Sequence, residues 1–125
     1  MPTVRRASLL LIALLIPPGA IGGAPLDLRV TPTMTFEPAY VEVRVTVEAN
    51  SNNRMLEVVV ETPEFRRSSE IPLDGERAAR VNTFDFRALP TGNYEVTSTL
   101  VGPMGVRARI ARTLVVAPSR GEVQR

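Results

Sequence analysis

The feature that most constrains the fold is an alternation of apolar and polar residues near the middle of the chain. Valines occupy every second position from Val41 to Val47, and Glu42, Arg44 and Thr46 lie between them. Successive side chains of a β-strand point to opposite faces, so this pattern predicts a strand with one buried face. No helical periodicity of useful length competes with it, and the chain is expected to consist of half-buried strands.

The same alternation recurs along most of the remaining sequence, with turn signals about every ten residues. Polar or glycine-containing turns are predicted at Asn50–Asn53, Asp74–Gly75 and Gly102–Gly105, and GERAAR is predicted to form one turn of helix. The predicted strand segments are LDLRV, YVEVRVTVEA, MLEVVVE, RRSSEIPLDG, ARVNTFDF, LPTGNYEVTSTL and VRARIARTLVV. This spacing predicts an all-β fold, a seven-stranded antiparallel sandwich or barrel.

The last predicted strand contains one residue that breaks its own pattern. Arg112 falls on the inward parity, where a buried and unpaired guanidinium would be costly. A β-bulge near Ala111 would move this arginine to the outside, and bulges are common in edge strands. We therefore expect a bulge at that point.

The N-terminus has the pattern of a signal peptide. Arg5 and Arg6 precede the apolar run Leu9–Ile16, and small residues lead to a cleavage site predicted after Ala24. A spanning helix needs about 20 apolar residues, so this run predicts export and not a stable membrane insertion. The predicted organisation is a signal peptide over 1–24, a sandwich over 25–117 and a disordered tail over 118–125, in the periplasm or the extracellular space.

Charge and cysteine content limit the classes of partner and the source of stability. The chain has 15 arginines, no lysine and 13 acidic residues; 13 of those arginines and all the acidic residues follow Ala24, so that part carries no net charge. A nucleic-acid or anionic-membrane surface would need a basic excess. Without cysteine, the domain must be held together by its apolar core.

The stretch LPTGNYEV connects a turn to a strand through a tyrosine. It resembles the tyrosine corner of immunoglobulin-like and fibronectin-type-III-like sandwiches, with Tyr94 as the corner residue and Leu89 packed below it. The resemblance implies a hydrogen bond from the Tyr94 hydroxyl to the upstream backbone. Antibody-type domains carry a cysteine where Val96 stands here, so the resemblance is to the disulfide-free bacterial type.

The residue types that most often carry out catalysis or hold a metal are scarce. There is no histidine and no cysteine, which removes the usual general base, zinc ligands and thiol nucleophile. The methionines are expected to fill gaps in the core. From these absences we predict a protein that is not an enzyme and that has no cofactor or metal.

Two surface features are candidates for binding a partner. The first is the irregular edge segment with Phe65, Arg66 and Arg67, an aromatic-plus-arginine composition typical of binding hot spots. The alternative is a charged edge that deters aggregation. The second is an outward face that combines small or apolar residues with an arginine rim; its members are Val59, Thr97, Thr99, Arg107 and Arg109.

The sequence therefore predicts an exported, non-enzymatic binding module that docks to a protein partner or an envelope assembly. A structural accessory domain that associates with itself is the first alternative. A carrier of a small ligand, carbohydrate or lipid, is the second, although carbohydrate binding needs exposed aromatic platforms and only six aromatic residues are present.

Overall fold

A computed structural model describes residues 25–119, which form strands and one short 3-10 helix at Gly75–Arg77. The helix falls within the GERAAR segment, where one helical turn was predicted. The strands of the described part are β1 (Leu26–Thr31), β2 (Met34–Phe36), β3 (Ala39–Val47), β4 (Met55–Thr62), β5 (Phe65–Pro72), β6 (Val81–Leu89), β7 (Gly92–Gly102) and β8 (Gly105–Ala117).

The strands form two sheets, of three and five strands. The smaller sheet has the order β1-β3-β6 and the larger one β2-β8-β7-β4-β5. The all-β fold is confirmed, but the prediction of seven antiparallel strands is wrong, because eight are present in residues 25–119 and β2 runs parallel to β8. β2 is only three residues long, too short for alternation to reveal it.

The core lies between the inner faces of the two sheets. The valines of β3 that were predicted to face inward are fully buried, and they face Leu56, Val58 and Val60 of β4 together with Val96 and Leu100 of β7. Complete burial of such a side chain contributes about 1.5–3 kcal/mol. With no cysteine in the chain, this apolar layer is the main source of stability.

The pairing of β3 with β6 contains a register shift near the end of β6. Val41 pairs with Phe86, whereas Ala39 pairs with Leu89, so β6 contains an additional residue at this point. Ala88 takes a φ of 55°, a left-handed conformation that is uncommon outside glycine. Because of this shift, Phe86 and Leu89 are both buried although they are three residues apart.

The predicted bulge near Ala111 is absent from β8, and this prediction is wrong. The shift in the β7–β8 ladder instead lies between Leu100 and Val101, with Arg107 as the additional residue of β8. Arg112 keeps its inward parity opposite Val96, but it is exposed because β8 lies at an open side of the sandwich. Its charge therefore stays in water and needs no bulge.

The predicted signal peptide, residues 1–24, and residues 120–125 of the predicted tail lie outside the described residues. Pro118 and Ser119 are described and belong to no strand. Within residues 25–119, no helix is long and apolar enough to cross a membrane.

Candidate functional site

The first predicted binding segment, at the start of β5, is divided between two faces. Phe65 and Arg67 point inward, whereas Arg66 points to the outer face and pairs with Glu61, with 3.5 Å between Nε and Oε1. The Phe65 ring is half-buried and stands edge-on to Tyr94, with ring centroids 6.0 Å apart at 85°. The three residues thus do not form one patch.

Arg67 connects the two sheets at this side of the sandwich. Its guanidinium carbon lies 5.0 Å from the Phe65 ring centroid, and Nη1 donates to the backbone carbonyl of Arg87 on β6. The hydrogen bond connects β5 of the larger sheet to β6 of the smaller one, and the cation–π contact within β5 orients the guanidinium that makes it. The contacts of Phe65 and Arg67 are therefore structural.

The second predicted patch lies on the outer face of the larger sheet but is mostly covered. Val59 and Thr97 are cross-strand partners, and the side chain of Thr99 accepts a hydrogen bond from Arg109 Nε at 3.3 Å. Val59 is 8% and Thr99 6% exposed, whereas Arg109 is exposed. Of this group, the two arginines are exposed and Thr97 is half-buried.

Arg107 contacts the loop Asn50–Asn53, for which the sequence predicts only a polar turn. Its Nη1 donates to Asn53 Oδ1 at 2.6 Å, and Asn53 Nδ2 donates to the carbonyl of Glu48 at 3.0 Å. Asn53 is buried. A Cβ on Gly102 would lie 2.8 Å from the backbone carbonyl oxygen of Asn52, so a larger residue there would force that backbone to shift. Nothing in the NSNN sequence distinguishes the buried asparagine from its exposed neighbours.

Tyr94 and Leu89 form a compact corner at the beginning of β7. The Tyr94 hydroxyl donates to the carbonyl of Pro90 at 2.6 Å, four residues upstream, and both Tyr94 and Leu89 are buried. Burial raises the pKa of the Tyr94 hydroxyl above its ordinary value. The neutral phenol, which can donate this hydrogen bond, is the form that the corner holds.

Glu37 ties the loop before β7 to the segment after β2. The backbone N–H of Thr91 donates to Glu37 Oε1 at 3.0 Å. Hydrogen bonding from the Thr91 side chain, followed by that from its backbone, lowers the pKa of the Glu37 carboxyl below its ordinary value. This ionised carboxylate therefore connects the residue after β2 to the loop before β7.

The first two thirds of β8 have an open backbone edge. β2 pairs only with Val115–Ala117, where Val115 N–H donates to Thr33 at 2.9 Å and Ala117 accepts from Glu37 at 2.8 Å. Within a strand, alternate residues direct both backbone groups to the same side. The odd-numbered Arg109, Ala111 and Thr113 therefore direct theirs away from β7. Within residues 25–119 no strand pairs with them on that side, and the Ala111 carbonyl accepts only from the Arg112 side chain, at 3.0 Å.

A groove lies beside this open edge, between β1 of the smaller sheet and β8 of the larger one. It has a volume of about 510 Å³ and is lined by Asp27, Leu28, Arg29, Val30, Thr33, Arg112 and Thr113. Arg112 Nη2 lies 4.0 Å from Asp27 Oδ1, and both side chains are about half exposed. Such a pair contributes little to stability and leaves the guanidinium accessible. Sequence alternation gave no indication of this groove.

No protein-family model matches this sequence, and no curated protein matches it. Solved structures of superoxide reductase (neelaredoxin) from Ignicoccus hospitalis are similar in fold. One variant of that protein has a TM-score of 0.60 at 16% identity, covering 80% of this chain and 91% of that one. A second variant has a TM-score of 0.59 at 15% identity, covering 73% and 78%.

These neighbours overturn the prediction that the chain is not an enzyme, because the fold it adopts is also the fold of an enzyme. At 15–16% identity the similarity shows the fold alone, and superoxide reduction is a property of those proteins. The present chain has no histidine or cysteine, and residues 25–119 contain no group of three or more His, Cys, Asp or Glu placed to hold a metal ion.

Proposed function

We propose that the chain is an exported interaction module that docks to a protein partner or an envelope assembly through the open side of its sandwich. The observation that carries this proposal is the edge of β8, where exposed arginines lie beside backbone groups that no other strand engages within the described residues. Arg109 is exposed and pairs with no carboxylate of residues 25–119. Unpaired strand edges are sites of protein association.

An immunoglobulin-like sandwich is the fold we assign to this module. Three features support the assignment: the two-sheet order, the change of sheet between β1 and β2, and the tyrosine corner at Tyr94. The outer-face arginines that the sequence singled out, Arg107 and Arg109, both lie on β8. Arg107 is engaged with Asn53, so Arg109 is the member of that pair best placed to contact a partner.

Export is part of the same proposal and rests on the sequence of residues 1–24. The basic Arg5 and Arg6, the apolar run Leu9–Ile16 and the small residues before Pro25 support cleavage after Ala24. The module would then act in the periplasm or the extracellular space, where a domain without cysteine is unaffected by the redox state.

Site-specific photo-crosslinking tests the docking proposal. Because the chain has no lysine, amine-reactive reagents cannot report on its surface. We would replace Thr113, at the open edge, with p-benzoylphenylalanine and expose the tagged protein to the envelope fraction of its source cells. The matched control carries the same group at Glu70, an exposed position on β5 at the opposite edge.

We expect a defined partner protein linked from position 113 and absent from position 70. Equal capture from both positions, or capture from neither, would contradict docking through the open side. The predicted site residues Phe65 and Arg67 already contact Tyr94 and the Arg87 carbonyl, although Arg67 is exposed, so we propose that the main crosslinks form at the open side and not near them.

Self-association is a second candidate, and one observation favours it. Met34 of β2 and its neighbour Val115 of β8 are 66% and 37% exposed, and Phe36 of β2 is 44% exposed. An apolar group of this kind at one end of the larger sheet suits contact with a second copy. Sedimentation at micromolar concentration tests it, since a monomer would contradict it. For a small-ligand carrier, the groove beside β8 gives little support, since no aromatic ring lines it.

A further inference from the structure

The open edge of β8 has the geometry to accept one more strand. We propose that an extended acidic segment of a partner protein pairs with residues Gly105–Thr113 and continues the line of β2 along the sheet. This inference rests on the proposed docking function and specifies the partner's chemistry. Such strand addition obtains its affinity from main-chain hydrogen bonds and its specificity from the side chains along the edge.

The backbone of β8 supplies the hydrogen-bonding groups. Arg109, Ala111 and Thr113 each direct one N–H and one C=O to the open side, and all three residues are exposed. The Ala111 carbonyl accepts from the exposed Arg112 Nη1 at 3.0 Å, a side-chain contact that an added strand would displace. At about 3.4 Å per residue, the nine residues from Gly105 to Thr113 span about 30 Å. A segment of seven to nine residues, on the order of one ordinary strand, therefore fits the edge.

The side chains of β8 set the charge of the segment. β8 contains Arg107, Arg109 and Arg112 and no acidic residue. Arg109 lies on the outer face, and Arg112 lies on the groove side, where Arg29 of β1 is also exposed. Residues that face each other across two strands point to the same face, and opposite charges there are stabilising. Carboxylates three residues apart in the segment would meet Arg109 on one face and Arg112 on the other.

A second copy of the chain is a poorer occupant of this edge. If the β8 edges of two copies paired with each other, their arginines would be brought together with no carboxylate on either strand, and like charges across a ladder destabilise it. Residues 1–24 and 120–125 do not supply the acid either. Residues 1–24 contain no acidic residue, and residues 120–125 contain only Glu122.

The test is binding of a fluorescein-labelled peptide, Thr-Val-Glu-Val-Thr-Glu-Val-Thr-Val, to the protein without residues 1–24, followed by fluorescence anisotropy. The matched peptide has glutamine in place of both glutamates. We expect saturable binding of the acidic peptide, at least tenfold weaker binding of the glutamine peptide, and falling affinity with added salt.

Three protein variants locate the site. Ala111→Pro removes one N–H of the open edge while leaving the ladder to β7 intact, and proline is tolerated on edge strands. It should weaken binding at least tenfold, as should the pair Arg109→Ser and Arg112→Ser. Arg66→Ser, the same substitution at one arginine on the outer face of β5, should leave the affinity unchanged. If Ala111→Pro fails to fold, backbone N-methylation of the peptide at its edge-facing residues makes the same test.

Three outcomes would overturn the proposal. These are the absence of saturable binding at millimolar peptide, equal affinity for the glutamine peptide, and unchanged affinity after Ala111→Pro or N-methylation. A partner captured by photo-crosslinking that still binds the Ala111→Pro protein would refute strand addition while leaving the docking function in place. The two proposals can therefore fail separately.

Discussion

The two lateral sides of the sandwich each present an arginine with inward parity, and the two arginines have different surroundings. On the side where β5 meets β6, Arg67 donates to the Arg87 carbonyl and lies over the Phe65 ring. On the side where β1 meets β8, Arg112 lies 4.0 Å from the half-exposed Asp27 and donates to the carbonyl of Ala111 on its own strand at 3.0 Å, but it contacts no carbonyl of the facing sheet within residues 25–119. The first side is closed by side chains, whereas the second retains a groove and an open backbone edge.

Residue type and strand parity therefore do not by themselves assign a role to an edge arginine. What separates Arg67 from Arg112 is the neighbouring aromatic ring and a carbonyl of the facing sheet within reach. An arginine whose guanidinium contacts both an aromatic ring and a carbonyl of the facing sheet stabilises the fold. An arginine with a weak, solvent-exposed partner is available to a ligand.

The largest expected effect is on the closed side, at Phe65. Complete removal of a buried phenylalanine costs about 3–5 kcal/mol, so the half-buried Phe65→Ala should lower the free energy of unfolding by about 2 kcal/mol. Urea denaturation measures it. Tyr40→Ala removes an exposed aromatic ring and should cost less than about 1 kcal/mol. Equal losses would mean that the closed side does not depend on Phe65.

The next largest expected effect is loss of the Tyr94 hydroxyl. Tyr94→Phe removes the hydrogen bond to Pro90 and should lower the free energy of unfolding by about 1 kcal/mol. The ring itself stays, so its contact with Phe65 is retained. The urea midpoint reports the change, and a midpoint equal to that of the unaltered protein would show that the bond has no net stabilising effect.

The comparison between the two sides is tested directly by replacing each arginine with methionine, which keeps the length of the side chain. Arg67→Met loses a charged hydrogen bond and a cation–π contact and should cost about 1 kcal/mol. Arg112→Met loses an exposed ion pair and an exposed hydrogen bond to the Ala111 carbonyl, which water can replace, and should cost less than about 0.5 kcal/mol. The reverse order of the two values would contradict the assignment of closed and open sides.

Substitution of Ser98, which lies between the two sides, should stabilise the protein. Ser98 is fully buried on the inner face of β7, and its hydroxyl has no hydrogen-bond partner among residues 25–119. Ser98→Ala removes this unsatisfied group and should raise the free energy of unfolding by up to about 1 kcal/mol. The control Ser69→Ala, at a half-buried position on β5, should change little. Destabilisation by Ser98→Ala would show that the hydroxyl is hydrogen-bonded in solution.

The smallest expected effect is a pH dependence from Glu37. Because folding lowers its pKa, the stabilisation is complete above the ordinary carboxyl pKa and is lost as the pH falls through the lowered folded value. Glu37→Gln should therefore flatten the acid part of the stability curve, which urea midpoints between pH 6 and pH 3 would record. An unchanged acid slope would remove Glu37 as its source.

Much of the fold was predictable because burial on one face leaves a period of two in the sequence. The valines of β3 and the position of Tyr94 at the beginning of β7 followed from that pattern and from the corner motif. β2 was not predictable, because a three-residue strand is defined by its neighbour β8 and has no periodicity of its own.

The site was less predictable because it depends on which strands become neighbours. The segment FRRSSEIP has no apolar alternation, so nothing indicated that Phe65 and Arg67 point inward while Arg66 points outward. The open edge of β8 exists because the chain leaves the smaller sheet only after Thr31. Strand order of this kind is not written in a single sequence.

Amide hydrogen exchange along β8, followed by NMR, tests most directly the claim that this side is open. In the free protein we predict little protection of the amides of Arg109, Ala111 and Thr113, and strong protection of those of Ile110, Arg112 and Leu114, which face β7. Val115, bonded to Thr33, should also be protected. Equal protection of odd and even residues would show that the edge is already covered, and would contradict an open docking side.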